Sequence, residues 1–299
     1  MKRNKWKGVI SGVLSAISFG TNPLFALPLY QHGMNTQNVL FYRFVLASML
    51  LGGVMLLRGH SFRLSRKQIL PSIFSGLLLA FTCLFLFLSF WHLDAGIAAT
   101  VLFVYPIMVA LIMMIFFHEK MKLTMGIGMV LALGGIALLY QGGGTGKFSV
   151  TGMIYVLLSA LVYAVYMVNV RESALRTLPS DTLTFYAMLF GLPVFLITLR
   201  GGLDLRLPPD LLSWGCVFGL AFFPALVSFL LLAVSIRHIG ATMTAVIGAM
   251  EPLTSLFIGM VCFGEKLTFR LVCGIVIILF AVTLTVAGDM VKKTAAEPE

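Results

Sequence analysis

Two charged side chains stand inside long apolar runs of this 299-residue sequence, Arg43 within residues 38–57 and Glu251 within residues 240–262. A charge at the centre of a bilayer costs about 2.5–3.5 kcal/mol on insertion scales, so such residues face a bundle interior or cavity and are the first candidates for binding or proton handling. Glu251 lies eleven residues into its run, ~16 Å at the helical rise, near the middle of a hydrocarbon core of about 30 Å. Arg43 lies five residues into its run, about 8 Å deep, and its long side chain reaches further up or down. An Arg43–Glu251 ion pair is within that reach, and a purely architectural pair is the alternative reading. Tyr42 flanks the arginine.

A polar, aromatic face adds to these charges. At 100° per residue Tyr155, Ser159, Tyr163, Tyr166 and Asn169 share an arc of about 120°. Such a face either lines a cavity or ties helices together through hydroxyls. Near the start of the chain Ser11, Ser15, Phe19 and Asn22 form a matching face. Pro106 and Pro252 each remove a backbone hydrogen bond within an apolar run and free carbonyls, as a hinge or as a packing kink; Pro23 beside Asn22 is similar. The candidate substrate-binding or coupling residues are therefore Glu251, Arg43, Tyr42, Asn22, Tyr105, Tyr163, Tyr166 and Asn169, with Pro106 and Pro252 as hinges.

Other chemistries find no support. His32, His60, His92, His118 and His238 are scattered at helix ends and in loops, and the four cysteines (Cys83, Cys216, Cys262, Cys273) share no C-x-x-C spacing. Neither a metal site nor a nucleophile–base pair follows, and no cofactor or enzymatic reaction is expected. Gly142–Lys147 is rich in glycine, but Gln141 and Phe148 stand where a phosphate loop needs Gly and Ser or Thr, so ATP hydrolysis is not expected and the segment reads as a linker. Glu119 and Glu265 are each followed by Lys at a helix end, where solvated ion pairs are expected.

The elements that position these residues are membrane helices. The sequence is 60% hydrophobic and 11% charged, against roughly 45–50% and 25% in an ordinary soluble domain. Apolar runs long enough to span a bilayer cover 8–29, 38–57, 69–91, 95–117, 123–140, 151–170, 182–199, 211–236, 240–262 and 268–287. Unbroken runs specify helices, whereas a barrel would alternate polar and apolar residues. The first run, about 22 residues, exceeds the usual 7–15 of a signal peptide and is expected to be retained. The net charge of +10 reflects topology rather than nucleic-acid binding. With a cytoplasmic N-terminus, fifteen Lys and Arg fall on the inner side and five on the outer, which places both termini in the cytoplasm. Gly8-Gly12-Ala16-Gly20, Ser72-Gly76-Ala80 and Gly215-Gly219 are small-residue ridges for close helix packing.

The sequence also repeats. At an offset of 144, Gly8 falls on Gly152, Leu14-Ser15-Ala16 on Leu158-Ser159-Ala160 and Phe41-Tyr42 on Phe185-Tyr186; at 146, Pro106 falls on Pro252, Glu119-Lys120 on Glu265-Lys266 and Gly128 on Gly274. Five helices per copy force the second copy to enter the membrane from the opposite side. The expected organisation is a first five-helix repeat at 1–140, a Gly-rich linker at 141–150, a second repeat at 151–287 and a cytoplasmic tail at 288–299. Under this relation Glu251 falls on Tyr105 and Arg43 on Ala187, so the symmetry breaks at both embedded charges.

On the two-fold repeat, the paired segments Tyr105-Pro106 to His118-Glu119-Lys120 and Glu251-Pro252 to Gly264-Glu265-Lys266, and the Phe41-Tyr42-Arg43-Phe44 stretch, the chain resembles the EamA-type drug/metabolite transporters. His118 departs from the Gly more usual at its position. The resemblance implies export or exchange of small metabolites, such as amino acids, across the cytoplasmic membrane. The expectation is an all-α integral membrane protein whose two inverted five-helix repeats alternate access around a midplane cavity. Its expected partners are the lipid bilayer, a small-molecule substrate and coupling protons at Glu251. A membrane-embedded enzyme acting on lipid and a non-transporting helper subunit are the rival classes.

Overall fold

The structure, a computed structural model, describes residues 5–118, 123–141, 149–239, 244 and 247–295. Among them every regular element is helical. In chain order the helices are α1 (Lys5–Gly20), α2 (Asn22–Gln31), α3 (Thr36–Leu57), α4 (Arg66–Ser89), α5 (Ala95–Leu102), α6 (Tyr105–Phe117), α7 (Leu123–Gln141), α8 (Val150–Glu172), α9 (Ser180–Thr198), α10 (Leu211–Ala221), α11 (Ser228–Ile239), α12 (Met250–Phe263) and α13 (Phe269–Ala295). Seven helical segments are long and apolar enough to cross a membrane, and three shorter apolar helices, Gly126–Leu138, Met250–Phe263 and Phe269–Leu284, accompany them. Helix is the form in which a chain satisfies every backbone N–H and C=O within its own segment, which hydrocarbon surroundings demand. The linker residues 142–148, the Glu119–Lys120 pair and residues 240–243 lie outside the described residues.

Four of the runs that the sequence presents as continuous are interrupted, the ninth at the Gly248–Ala249 turn just before the helix that carries Pro252. The first breaks at Thr21 between α1 and α2, because Pro23 lies in the opening turn of α2 and has no N–H to continue the ladder. The fourth breaks at Phe103 and Val104, one turn before Pro106 in the opening turn of α6. In the eighth, Phe222–Val227 widens to a π-helical turn around Pro224, joining α10 to α11. Pro106 and Pro252 thus lie in the first turns of α6 and α12 rather than in the middle of long helices.

Helix ends show how closely the two halves correspond. α6 stops at His118 (φ 54°) and α12 at Gly264 (φ 68°), both left-handed, and their N–H groups donate to the carbonyls of Met113 and Gly259. Each of these pairs is 146 positions apart.

Packing follows the small-residue ridges of Gly8-Gly12-Gly20 and Gly76, whereas a Cβ at Gly215 would meet nothing within 4 Å. α1 runs against α11 and α8 against α4; α6 meets α8 and α12 meets α1; α3 meets α9, and α7 lies along α13. A Cβ at Gly8 would lie 2.6 Å from Ile239 and 2.7 Å from His238; one at Gly152 would lie 2.6 Å from Leu93 and 2.8 Å from His92. Only glycine permits such approach. The core between these layers holds Phe44, Phe87, Phe195 and Leu220, all fully buried.

Candidate functional site

Tyr105 opens α6 directly after the break at Phe103–Val104, which turns its ring across the bundle toward α8. There it meets Tyr163 edge to face at 4.7 Å and 74°, and Tyr163 stacks on Tyr166 at 5.7 Å and 9°. Glu251, in the first turn of α12, lies within electrostatic reach of both Tyr105 and Tyr163. The three aromatic rings make a patch able to hold an organic solute by stacking, and a carboxylate in the membrane interior can hold a proton or cation by charge.

The break in the first span presses on the same turn of α12. A Cβ at Gly20 would lie 2.6 Å from Thr254 and 2.7 Å from the Glu251 carbonyl oxygen, and the Ser255 hydroxyl donates to the Gly20 carbonyl at 3.0 Å. Asn22, two residues on, donates its side-chain N–H to the Phe19 carbonyl at 2.8 Å, while its buried Oδ1 has no partner. Tyr42 is also buried with an unpartnered hydroxyl, its ring against Trp214 at 5.7 Å.

Arg43 points to the other side of α3. It is 3% exposed, and its guanidinium carbon sits 5.3 Å from the centre of the Phe87 ring. Tyr30 and Cys83 are its electrostatic neighbours. Cys83 is also within electrostatic reach of Tyr163 and Tyr166. Arg43 and Glu251 do not pair: among the described residues the ion pairs join His32 to Asp210, His60 to Asp181, Arg171 to Glu172 and Arg200 to Asp204.

Asn169 lies apart from this centre. Its amide donates to the Pro71 carbonyl at 3.1 Å and to Ser75 at 2.8 Å, so it ties α8 to α4. Ser159 does the same through the Thr82 carbonyl at 2.8 Å. The polar face of α8 is thus divided, with Ser159 and Asn169 holding helices together and Tyr163 and Tyr166 meeting the aromatic patch.

Sequence reasoning missed Tyr30, Cys83 and Phe87. Cys83 and Phe87 are four residues apart on one face of α4, a spacing that puts both against α3, but neither carries a charge to draw notice. It also missed a pocket of about 480 Å³ at the ends of α2, α4 and α12, lined by Tyr30, Gln31, Trp91, Asp94, Cys262 and Glu265 among others. The Glu265 carboxylate accepts from the N–H groups of Ala95 at 2.7 Å and Gly96 at 3.3 Å, capping α5, in place of the solvated pair expected with Lys266. Burial pushes its carboxyl up to about 7, although these two hydrogen bonds oppose the shift.

Comparison with known proteins places the whole chain. Residues 6–141 and 150–287 each match the EamA-like transporter family. An uncharacterized transporter of Bacillus subtilis, YxxF, is 25% identical over 95% of this chain and 90% of its own length. An uncharacterized transporter of Synechocystis is 26% identical over 74% of this chain and 67% of its own. A solved crystal structure, 17% identical, shares the fold with a TM-score of 0.67 over 97% of this chain and 99% of that one.

Proposed function

The chain belongs to the EamA-like transporter family and is a multi-pass membrane transporter, and from that premise we propose that it is a secondary transporter exporting or exchanging small metabolites, amino acids among them. The three shorter apolar helices complete ten spans, arranged as two five-helix repeats of opposite orientation in the cytoplasmic membrane with both termini inside. Substrate binds near the midplane, between the aromatic patch of Tyr105, Tyr163 and Tyr166 and the charges of Glu251 and Arg43. Glu251 takes up and releases the coupling proton.

The observation that carries this reading is the way partners exchange between halves. Ser15 bonds to the Ser228 carbonyl and Ser159 to the Thr82 carbonyl, each at 2.8 Å, and Gly8 and Gly152 approach His238-Ile239 and His92-Leu93. Offsets of 144 and 146 convert each contact into the other. An inverted repeat makes the two faces of the membrane nearly equivalent, which lets one packing serve either open state by rocking about a fixed site. The helix breaks before Pro106 and Pro252 would act as hinges for that motion, and the glycine contacts would let α1 and α8 slide.

Counterflow in proteoliposomes tests the proposal. Purified protein reconstituted with an unlabelled amino acid or organic acid inside should accumulate the labelled compound from outside without ATP. Lipid turnover without flux would instead support an enzyme, and the absence of both would leave a helper role.

A further inference from the structure

We propose that Arg43 is the seat of a carboxylate carried by the transported solute, so that the substrate class is monoanionic or zwitterionic acids rather than neutral or cationic solutes. The inference rests on reading the core as a transport path, and it begins from charge balance. Arg43 is 3% exposed within a membrane-spanning helix, and among the described residues no carboxylate pairs with it. Its Nε–H is buried and has no hydrogen-bond partner. A guanidinium has five donors and no way to become neutral, so leaving it buried and unpaired is strongly unfavourable.

The neighbours do not relieve that cost. Phe87 offers only its ring face, 5.3 Å from the guanidinium carbon. The Tyr30 hydroxyl donates to the Phe87 carbonyl at 3.0 Å and accepts from Thr36 at 3.2 Å, so its hydrogen bonding is already engaged. Cys83 is a weak partner. A cation kept without a counter-ion but with its planar fork available is matched by a planar anion, which takes two parallel N–H bonds. Arg43 is the one arginine or lysine more than a turn inside the apolar runs, Arg270 standing at the very start of 268–287. A carboxylate, with a single charge, balances it; a phosphate dianion would leave negative charge uncompensated in the same surroundings. The aromatic patch of Tyr105, Tyr163 and Tyr166 can then take the remainder of the molecule.

The test uses the full chain in detergent and in proteoliposomes, with free amino acids, acetate, pyruvate and succinate as probes beside the amides and methyl esters of the same amino acids. Melting temperature is read for wild type, R43M and R43K, with and without each probe. At least one carboxylate should raise the wild-type melting temperature, its amide should not, and R43M should bind it at least tenfold more weakly while R43K falls between. Without probe, R43M should melt at or above wild type, because removing an unpaired buried charge relieves a cost. The inference is overturned if amides stabilise as well as acids, if no acid stabilises, if R43M keeps the shift, or if unliganded R43M melts well below wild type, as a purely structural arginine requires. Acid binding without counterflow would sink the transport reading and leave the Arg43 assignment standing. Counterflow undiminished in R43M would do the reverse.

Discussion

Ser15 on α1 donates its hydroxyl to the backbone carbonyl of Ser228 on α11 at 2.8 Å. The residues 144 and 146 positions away, Ser159 and Thr82, make the same bond between α8 and α4, also at 2.8 Å. Hydroxyl bonds between membrane helices contribute on average about 0.6 kcal/mol each. S15A and S159A should therefore destabilise by similar amounts of that order. The double variant should show their sum, since the two bonds share no partner. Equilibrium unfolding in mixed micelles measures this, and a difference above ~1 kcal/mol between the single variants would speak against equivalent interfaces.

His118 and Gly264 end α6 and α12 in the same left-handed conformation, which glycine adopts freely and histidine does not. For an L-residue that geometry costs roughly 1–2 kcal/mol, while the greater freedom of glycine in the unfolded chain returns about 0.4–1 kcal/mol. The folded-state term wins. H118G should raise stability by about 0.5–1 kcal/mol, and G264A should lower it. A thermal melt in which H118G is the less stable protein would contradict the account.

Gly20 holds the break of the first span against the turn that carries Glu251. A Cβ there would meet Thr254 at 2.6 Å and the Glu251 carbonyl at 2.7 Å, whereas one at Gly53 would meet nothing within 4 Å. G20A should cost about 1–3 kcal/mol by overpacking and slow counterflow by moving α12. G53A, in the interior of α3, should be neutral or stabilising by up to about 1 kcal/mol. Equal effects from the two substitutions would remove the argument from close approach.

Glu265 gives the protein a measurable pH response. Its carboxyl is pushed from 4.5 up to about 7, burial being the largest cause, so the native state holds a proton over a range where the unfolded chain has released it. Stability from this group is fully present below about 4.5 and is lost as pH rises through about 7. E265Q keeps an oxygen able to accept from Ala95 but cannot titrate. Relative to that variant, the wild-type melting temperature should fall between about pH 5 and pH 8. A constant difference across that range would show that the carboxyl titrates elsewhere.

Most of the helical order was legible because hydrocarbon surroundings enforce it: a span must be apolar and helical, and every run that the sequence marks contains helix. The breaks were less so. Pro106 announces an interruption, but the turn gives way at Phe103 and Val104, two to three residues before the proline that lacks the N–H, and the π turn at Pro224 has no separate signature. Glu251 and Arg43 stood out because charge is rare in such runs. That they stand apart depends on the rotation of two helices about their axes, which apolar surroundings on every side leave unmarked in the sequence. Asn169 resembled Tyr166 by helical angle alone, yet one turn of α8 separates a tie to Pro71 and Ser75 from the aromatic patch.

Glu251 is the carboxylate among the apolar runs, and its counterpart in the other half, Tyr105, cannot exchange a proton near neutral pH in the same way. If rocking between open states moves Glu251 from one aqueous face to the other, proton uptake on one side and release on the other follow from its position alone. E251Q keeps size and one hydrogen-bonding oxygen but removes the titrating group. In proteoliposomes E251Q should abolish accumulation driven by an imposed pH gradient, by tenfold or more, while counterflow at equal pH persists. The two assays separate the roles, because a residue needed only for substrate contact would depress both together and one needed only for packing would lower the melting temperature first. Full gradient-driven uptake by a normally folded E251Q would remove the coupling role from this residue.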